Sequence, residues 1–443
     1  MCAALSPSPR PLAALFAAGY LAPYLLPTIV GRLDARLAVS ATQAGAMGSA
    51  LLLSSASAGF VLASRVDRIG ARLLARAGLA LAVLGYGGAA LTASVPAVAL
   101  GAVLGGAGSG TAAAVAATGI AAQPVPHRAT GLGLLSVSAL AGAVFLTVPH
   151  LGPGHGLPFA AMALAALAVW PLTGRLAART ADVPLPGAAE PAPARVPRAR
   201  LRYGLLLVGA MPFWAMAQNA LWGVSGRIGV TQAQLDEATV GVVFALALGA
   251  GLVGVLAAGA LGRRLGPAVA LGAGTALIAG CMALSAAATG PAAFAVGEIA
   301  WNGVYPVVLA YVISLAASLD ARGRWAVLVG SAASLGTAAG PLVGSALAAW
   351  AGFPVIGVVL GAGLAVVAVP MTLVAVRTGC SRVPEPVGAL DIAVSTPAVP
   401  GSRRAYGTAG AGGSAGAAGV AGSAGAAGSA GVEGAAGVAG ESG

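Results

Sequence analysis

The sequence predicts an all-α membrane protein that crosses the bilayer twelve times, in two halves of six helices. Charged residues make up 8% of the 443-residue chain and hydrophobic residues 58%, whereas a soluble domain carries about 25% charged residues. Twelve apolar runs follow one another, and each has about the 20 residues that a helix needs to cross roughly 30 Å of hydrocarbon. A polar motif that recurs in both halves completes the argument for two halves.

The twelve predicted spans divide the chain into five regions. Residues 1–10 form a short cytoplasmic head, 11–174 the first six-helix half, 175–202 a proline-rich cytoplasmic linker, 203–376 the second half, and 377–443 a Gly/Ala-rich tail that we expect to be disordered. The predicted spans are 11–31, 43–63, 73–92, 96–119, 130–150, 156–174, 203–224, 237–260, 267–288, 291–317, 325–350 and 352–376. The first is interpreted as a retained helix, since it is long for a signal peptide and no clear cleavage site follows.

Short polar segments repeat at corresponding positions of the two halves. Thr-Gln-Ala follows span one at 42–44 and span seven at 231–233. The basic loop after span eight, at 259–266, resembles the charged loop after span two, at 63–72. The distance along the chain from the Thr-Gln-Ala segment to the basic loop is longer in the second half, so the repeat is inexact.

The positive charges predict the orientation of the chain. All 23 basic residues are arginine. With the N-terminus inside, only Arg32, Arg36 and Arg227 fall on the outer side of the membrane, and the other 20 arginines fall on the cytoplasmic side. Cytoplasmic loops carry an excess of positive charge. We therefore expect a multi-pass protein of the cell membrane with both termini cytoplasmic. Arginines spread over short loops also argue against a nucleic-acid partner, despite a net charge of +11.

The loop after span two carries a motif. Its Asp67, Arg68 and Gly70 match the pattern Gly-x-x-x-Asp-Arg-x-Gly-Arg-Arg/Lys, whereas Ala63 replaces the first glycine and Ala-Arg at 71–72 replaces the final basic pair. This segment resembles the loop between the second and third helices of the major facilitator superfamily. The resemblance covers about residues 11–376 and implies the facilitator fold and transport by alternating access. It also implies a cytoplasmic gate built from Asp67, Arg68, Gly70, Arg72, Arg263 and Arg264.

The candidate binding residues are polar and aromatic side chains inside apolar spans, where they need a partner or a cavity. Glu298 is the one acid deep in a span. Four residues of span ten share one helical face: Glu298, Trp301, Asn302 and Tyr305. Spans seven and one add Trp214, Gln218, Asn219, Trp222, Tyr20 and Tyr24. By the resemblance, spans one, four, seven and ten line the central cavity, so these residues would bind the substrate.

These features favour a secondary transporter of a small, partly apolar organic solute, acting as a monomer in the lipid bilayer. Glu298 could carry a coupling proton, because a carboxylate in a cavity that loses water can bind one near neutral pH. It could instead bind a cationic group of the solute or make a structural hydrogen bond. The absence of an arginine deep inside any span argues against a strongly anionic substrate.

Two other functions stay open. One is an exporter of drugs or secondary metabolites with the same fold. The other is a non-transporting receptor or assembly partner, which densely packed aromatic residues without a water-accessible cavity would favour. We expect no enzymatic activity, cofactor or metal, since the three cysteines have no metal-binding or redox spacing and the chain has no lysine for a phosphate-binding loop.

Overall fold

The computed structural model describes residues 9–123, 125–176, 198–261, 265–320 and 324–378, and within these ranges the regular structure is helical, with no strand. Eleven of the described helices are long and apolar enough to cross a membrane, and one bent pair of helices makes a twelfth span if it is counted as one. Most of the predicted linker, the tail, and Arg263 and Arg264 lie outside the described residues.

The helices follow the predicted spans closely. The first half contains α1 (Arg10–Tyr24), α2 (Leu26–Arg36), α3 (Ala41–Ala63), α4 (Val66–Ile69), α5 (Ala71–Leu91), α6 (Val95–Ala121), α7 (Pro126–Thr147) and α8 (Gly156–Val169). The second half contains α9 (Arg198–Arg227), α10 (Glu237–Leu261), α11 (Pro267–Ala286), α12 (Pro291–Ser318), α13 (Arg324–Ala351) and α14 (Phe353–Arg377). Most ends agree with the prediction to within a few residues.

Span one departs most from its prediction. It consists of α1 and α2, which are bent by 47° at Leu25. Proline has no backbone N–H, so Pro27 leaves the carbonyl of Pro23, four residues earlier, without its helical donor. The indole Nε1 of Trp222 in α9 donates to this carbonyl at 3.1 Å. The break in span one therefore creates an acceptor that ties the first half to the second.

The predicted end of span one at residue 31 is wrong. The helix continues to Arg36, and Arg32, expected in an exposed loop, is only 3% exposed. Its guanidinium is hydrogen-bonded to backbone carbonyls between α7 and α8. A buried charge is tolerated when it is paired and hydrogen-bonded, which is why the helix does not stop at its first arginine.

The repeated Thr-Gln-Ala segments have different structural roles. In the first half, Ser40 and Gln43 form a capping box that starts α3, each side chain accepting from the other residue's backbone N–H. In the second half, Gln232 donates to the backbone carbonyls of Ala286 and Ala288 at 2.8 and 2.9 Å, at the end of α11. The same sequence thus begins one helix and closes the end of another.

The charged loop after α3 forms a tight turn. Helix α4 ends at Gly70, whose φ of 102° lies in the left-handed region that favours glycine. Arg72 then donates from Nε and Nη2 to the backbone carbonyl of Leu176, at 3.1 and 2.8 Å. The turn is therefore held against the end of span six.

The two halves meet along helix pairs α3–α13, α7–α10 and α2–α9. We call the end of the bundle at which α2 ends the Arg32 end, and the opposite end, at α4, the Asp67 end. The backbone N–H of Leu342 in α13 donates to Ser49 of α3 at 2.9 Å, and Gly241 of α10 lies against the carbonyl of Phe145 in α7. These contacts lie in the parts of the helices nearer the Arg32 end.

Candidate functional site

The centre of the candidate site is Glu298 of α12. Its side chain is fully buried, and its Oε1 accepts hydrogen bonds from Ser225 of α9 at 2.7 Å and from Ser285 of α11 at 2.6 Å. Among the described residues it has no ion-pair partner. Two hydroxyls therefore position one carboxyl oxygen, and Glu298 joins three helices of the second half.

Several buried polar atoms around Glu298 have no hydrogen-bond partner within the described part of the chain. They are Oε2 of Glu298, Oδ1 of Asn302, Nε2 of Gln218 and Nε1 of Trp214. More than nine in ten buried polar groups in proteins are paired, so four unpaired groups in one region need a physical reason. Two of these atoms are acceptors and two are donors. A polar ligand or ordered water molecules could form the missing hydrogen bonds with them.

Aromatic contacts join spans seven and ten. Trp214 stacks on Tyr305 with ring centroids 5.2 Å apart and an interplanar angle of 18°. Trp222 packs against Trp301 edge to face at 5.9 Å. The indole Nε1 of Trp301 donates to Oε1 of Gln218 at 3.0 Å. These side chains form a rigid wall beside the unpaired polar atoms.

Span one contributes to this region unevenly. Tyr24, the last residue of α1, is buried. Tyr20 is half-buried and packs on Phe16 at a centroid distance of 4.4 Å. Asn219 differs from its neighbours, because its Nδ2 donates to Thr337 of α13 at 3.3 Å and so links α9 to span eleven.

Ser225 and Ser285 are site residues that sequence reasoning missed. Serine hydroxyls commonly bond to the backbone of their own helix, so an isolated serine in an apolar run carries no signal. Ser285 also lies in span nine, outside the spans that the resemblance assigns to the cavity.

The predicted gate residues lie at the Asp67 end. Asp67 and Arg68 are exposed on α4, and Asp67 makes a polar contact. Gly70 and Arg72 hold the turn described above. The structure does not bring these residues near Glu298.

Comparisons with known proteins identify the fold. No protein-family model and no curated protein sequence matches the chain. The crystal structure of the human organic anion transporter MFSD10 (TETRAN) matches with a TM-score of 0.56 at 16% sequence identity, covering 82% of this chain and all of that chain. A mutant of the nucleoside transporter NupG matches with a TM-score of 0.63 at 11% identity, covering 83% of this chain and 99% of that one. The chain has the major facilitator fold.

Within this facilitator fold, an aromatic layer separates the candidate site from the Arg32 end. Phe244 contacts Phe145, Trp222 and Phe294 at centroid distances of 5.2, 5.1 and 6.3 Å. Trp222 in turn contacts Trp301 of the site wall. The layer contains residues of both halves, and its Phe145 and Phe244 also line a cleft beside Arg32.

Proposed function

We propose that this protein is a secondary transporter that moves a small organic solute across the cell membrane by alternating access. The unpaired buried atoms of Glu298, Asn302, Gln218 and Trp214 carry this proposal. A solute with its own donors and acceptors would complete their hydrogen bonds, and an apolar or aromatic part would pack on Trp214 and Tyr305. The similarity in fold to transporters of organic anions and nucleosides supports this class of function.

Glu298 is proposed to carry a coupling proton. It is buried without a counterion in the described chain, and an unpaired charge at such depth is costly. A carboxyl group that exchanges a proton as the site changes its access to water avoids that cost. The other role proposed for Glu298 is recognition of a cationic group, in which the solute itself would supply the counterion.

The two ends of the bundle are proposed to face opposite sides of the membrane, with the Asp67 end in the cytoplasm. The distribution of arginine supports this orientation. In the proposed cycle, Asp67 and Arg68 help to close the cytoplasmic end, together with Arg72 and the basic loop of the second half. Because the halves meet near the Arg32 end, we assign the structure to a state that is closed to the outside.

A non-transporting membrane protein is the second candidate function. The aromatic layer of Phe145, Trp222 and Phe244 favours it, since tight packing between the halves resists their separation. Export of drugs or secondary metabolites is the alternative within the transporter class.

Reconstitution of Glu298→Gln into proteoliposomes tests the proposal. A thermal-shift screen of nucleosides, aromatic amines and aromatic acids first identifies a solute that stabilises the protein. With Glu298 as the proton carrier, the variant loses accumulation driven by a pH gradient but keeps solute exchange at equal concentrations. With Glu298 as a cation site, solute affinity falls in both assays.

Ser225→Ala is the matched control for this experiment. It removes one hydroxyl that bonds Glu298 but keeps the carboxyl group, so it should weaken transport while retaining its coupling to the pH gradient. If Glu298→Gln accumulates solute as well as the parent, with the same pH dependence, Glu298 is structural. If no solute moves through the parent protein, the non-transporting candidate gains support.

A further inference from the structure

Oxygen atoms from three helices meet at Glu298. Its carboxyl oxygen Oε1 lies 2.7 Å from the hydroxyl of Ser225 in α9 and 2.6 Å from the hydroxyl of Ser285 in α11. Both serines are fully buried. The hydroxyl of Ser225 also lies 3.0 Å from the backbone carbonyl of Leu221. Its proton therefore has a second acceptor, which leaves a lone pair of the hydroxyl oxygen free to face a bound ion.

Two further oxygen atoms on the same face of α12 have no hydrogen-bond partner within the described residues. They are Oε2 of Glu298 and Oδ1 of Asn302, and both side chains are fully buried. Asn302 lies one turn along the helix, and its Nδ2 donates to the backbone carbonyl of Glu298 at 2.8 Å. Buried acceptors without a partner are rare in proteins. A cation would satisfy both of these oxygens without supplying a hydrogen-bond donor.

The charge of Glu298 is not balanced by another side chain. It has no ion-pair partner among the described residues, and a buried charge is normally paired or bound to a metal ion. Ser285 lies in the last turn of α11, where the end of a helix carries partial negative charge and favours a cation. No group of three His, Cys, Asp or Glu side chains comes together in the described chain. One carboxylate therefore matches a monovalent cation better than a divalent one.

We propose that Glu298, Ser225, Ser285 and Asn302 bind a sodium ion. Hard cations take oxygen ligands such as carboxylates and amide carbonyls, and Na⁺ sites of secondary transporters use the C-terminal ends of helices. The two unpaired oxygens are closed to solvent, and a dehydrated sodium ion is smaller than a water molecule, so it needs no cavity that solvent can enter. The sequence-based expectation of no metal rested on cysteine spacing, which does not bear on an oxygen site.

This inference deepens the proposed function and rests on its site, because the sodium ion would use the same carboxyl group as the coupling proton. The ion would neutralise Glu298 and tie α12 to α9 and α11. It would also fix Asn302, which shares its helical face with Trp301 and Tyr305. Ion and solute would then bind to one face of α12, so that each raises the affinity for the other. Binding of the ion itself does not require that a solute is transported.

Thermal unfolding of the purified full-length protein in sodium tests the proposal. NaCl is exchanged stepwise for choline chloride at constant ionic strength, in a mildly alkaline buffer in which few protons compete for the carboxylate. A ligand that binds only the folded state raises the melting temperature as its concentration rises. The melting temperature should therefore rise with the sodium concentration. Equilibrium dialysis with radioactive sodium then measures the affinity.

Four variants locate the ion. Glu298→Gln keeps the shape of the side chain but removes its charge, so it should abolish sodium binding. Ser285→Ala and Asn302→Leu each remove one ligand oxygen and keep the carboxyl group. Each should weaken sodium binding at least about tenfold, since even a residue that only supports a metal ligand typically contributes about 10- to 100-fold to metal affinity. Thr275→Val is the matched control, because it removes a buried, unpaired hydroxyl ten residues earlier in α11; it should leave sodium binding unchanged.

Three results would overturn the proposal. The first is no sodium binding to the parent protein, which would leave the proton as the coupling ion of the proposed function. The second is sodium binding that survives Glu298→Gln, which would place the ion elsewhere. The third is an equal loss of binding in Ser285→Ala and Thr275→Val, which would show that any lost hydroxyl has this effect. Sodium binding in a parent protein that moves no solute would support the ion site and count only against transport.

Discussion

At the residue scale, a single hydrogen bond shows how a local defect in one half is satisfied by the other. Pro27 cannot donate to the carbonyl of Pro23, so this buried acceptor depends on the indole of Trp222 in α9. Leaving a buried polar group unpaired costs about 1–3 kcal/mol. The bend of span one and the identity of Trp222 are therefore coupled.

We expect Trp222→Phe to destabilise the protein, because phenylalanine keeps an aromatic ring but has no N–H for the carbonyl of Pro23. In a Pro27→Ala background the penalty should be smaller by about 1 kcal/mol, since residue 27 then supplies the donor. Thermal unfolding of the single and double variants measures this coupling. Trp350→Phe, at a tryptophan that is 83% exposed, should leave the melting temperature nearly unchanged. An equal penalty for Trp222→Phe in both backgrounds would show that the hydrogen bond contributes nothing.

The sequence predicts the acid of the candidate site but not its partners. Glu298 stands out because a carboxylate inside an apolar span is costly unless it faces a partner or a cavity. Ser225 and Ser285 do not stand out, since they are small, insert readily and lie on other helices, 73 and 13 residues from Glu298 in the sequence. Their contacts depend on how α9, α11 and α12 pack, which periodicity within one helix cannot reveal.

At the element scale, glycine determines how closely the helices of the first half approach. A Cβ added to Gly110 of α6 would collide with the backbone carbonyl of Ser55 in α3, and one added to Gly105 would collide with the ring of Tyr86 in α5. Small residues let helix backbones approach in membranes. The glycines at 101, 105, 106 and 110 of α6 form two Gly-x-x-x-Gly pairs, a spacing typical of such a packing face.

Gly110→Ala should therefore separate α3 from α6. Adding a methylene to a well-packed interior typically costs about 1–3 kcal/mol, and here the obstacle is backbone, which cannot rotate away. Gly249→Ala in α10 is the matched control, because a Cβ there has nothing within 4 Å. Thermal unfolding of both purified variants checks the expectation. Similar melting temperatures for the two would mean that the α3–α6 contact is looser than the structure indicates.

The ends of most helices were predictable because hydropathy falls where a span leaves the hydrocarbon. Span one was the exception. Its end was placed before Arg32 because a charge normally marks a loop, yet this arginine finds carbonyls in the α7–α8 connection, far away in the sequence. Its break at Leu25 was also missed, since prolines are common in membrane helices and do not all bend them.

At the scale of the whole molecule, the ion pairs of Arg32 with Glu237 and of Arg227 with Asp34 join the two halves. The fold could be predicted because its signals are local: apolar runs, a loop motif and a repeat. The ion pairs could not, because each joins residues almost half the chain apart. If the halves rock against each other, these pairs must break as the Arg32 end opens.

We expect Asp34→Asn combined with Glu237→Gln to open the Arg32 end. The two pairs are partly exposed and together contribute roughly 1–2 kcal/mol, so the open population should rise about five- to thirtyfold. Val240 is buried and lines a cleft beside Arg32 and Arg227. A cysteine placed at this position should react faster with a membrane-impermeant maleimide when the Arg32 end opens. The native Cys2, Cys281 and Cys380 are replaced by alanine for this measurement.

Asp236→Asn is the control, because Asp236 is adjacent to Glu237 but bonds only within its own turn in the described structure. Hydrogen bonds from the hydroxyl and backbone N–H of Thr239 lower the pKa of Asp236, so its carboxylate is charged and Asp236→Asn removes one negative charge. The ion pairs between the halves stay intact in this variant, so the labelling rate should equal that of the parent. The same reagent tests orientation, since in intact cells it reaches the reporter only if the Arg32 end faces outside. Labelling only after permeabilisation would reverse the proposed orientation. A rate that rises equally with Asp236→Asn and with the double variant would show that local charge, and not the pairs between the halves, controls access.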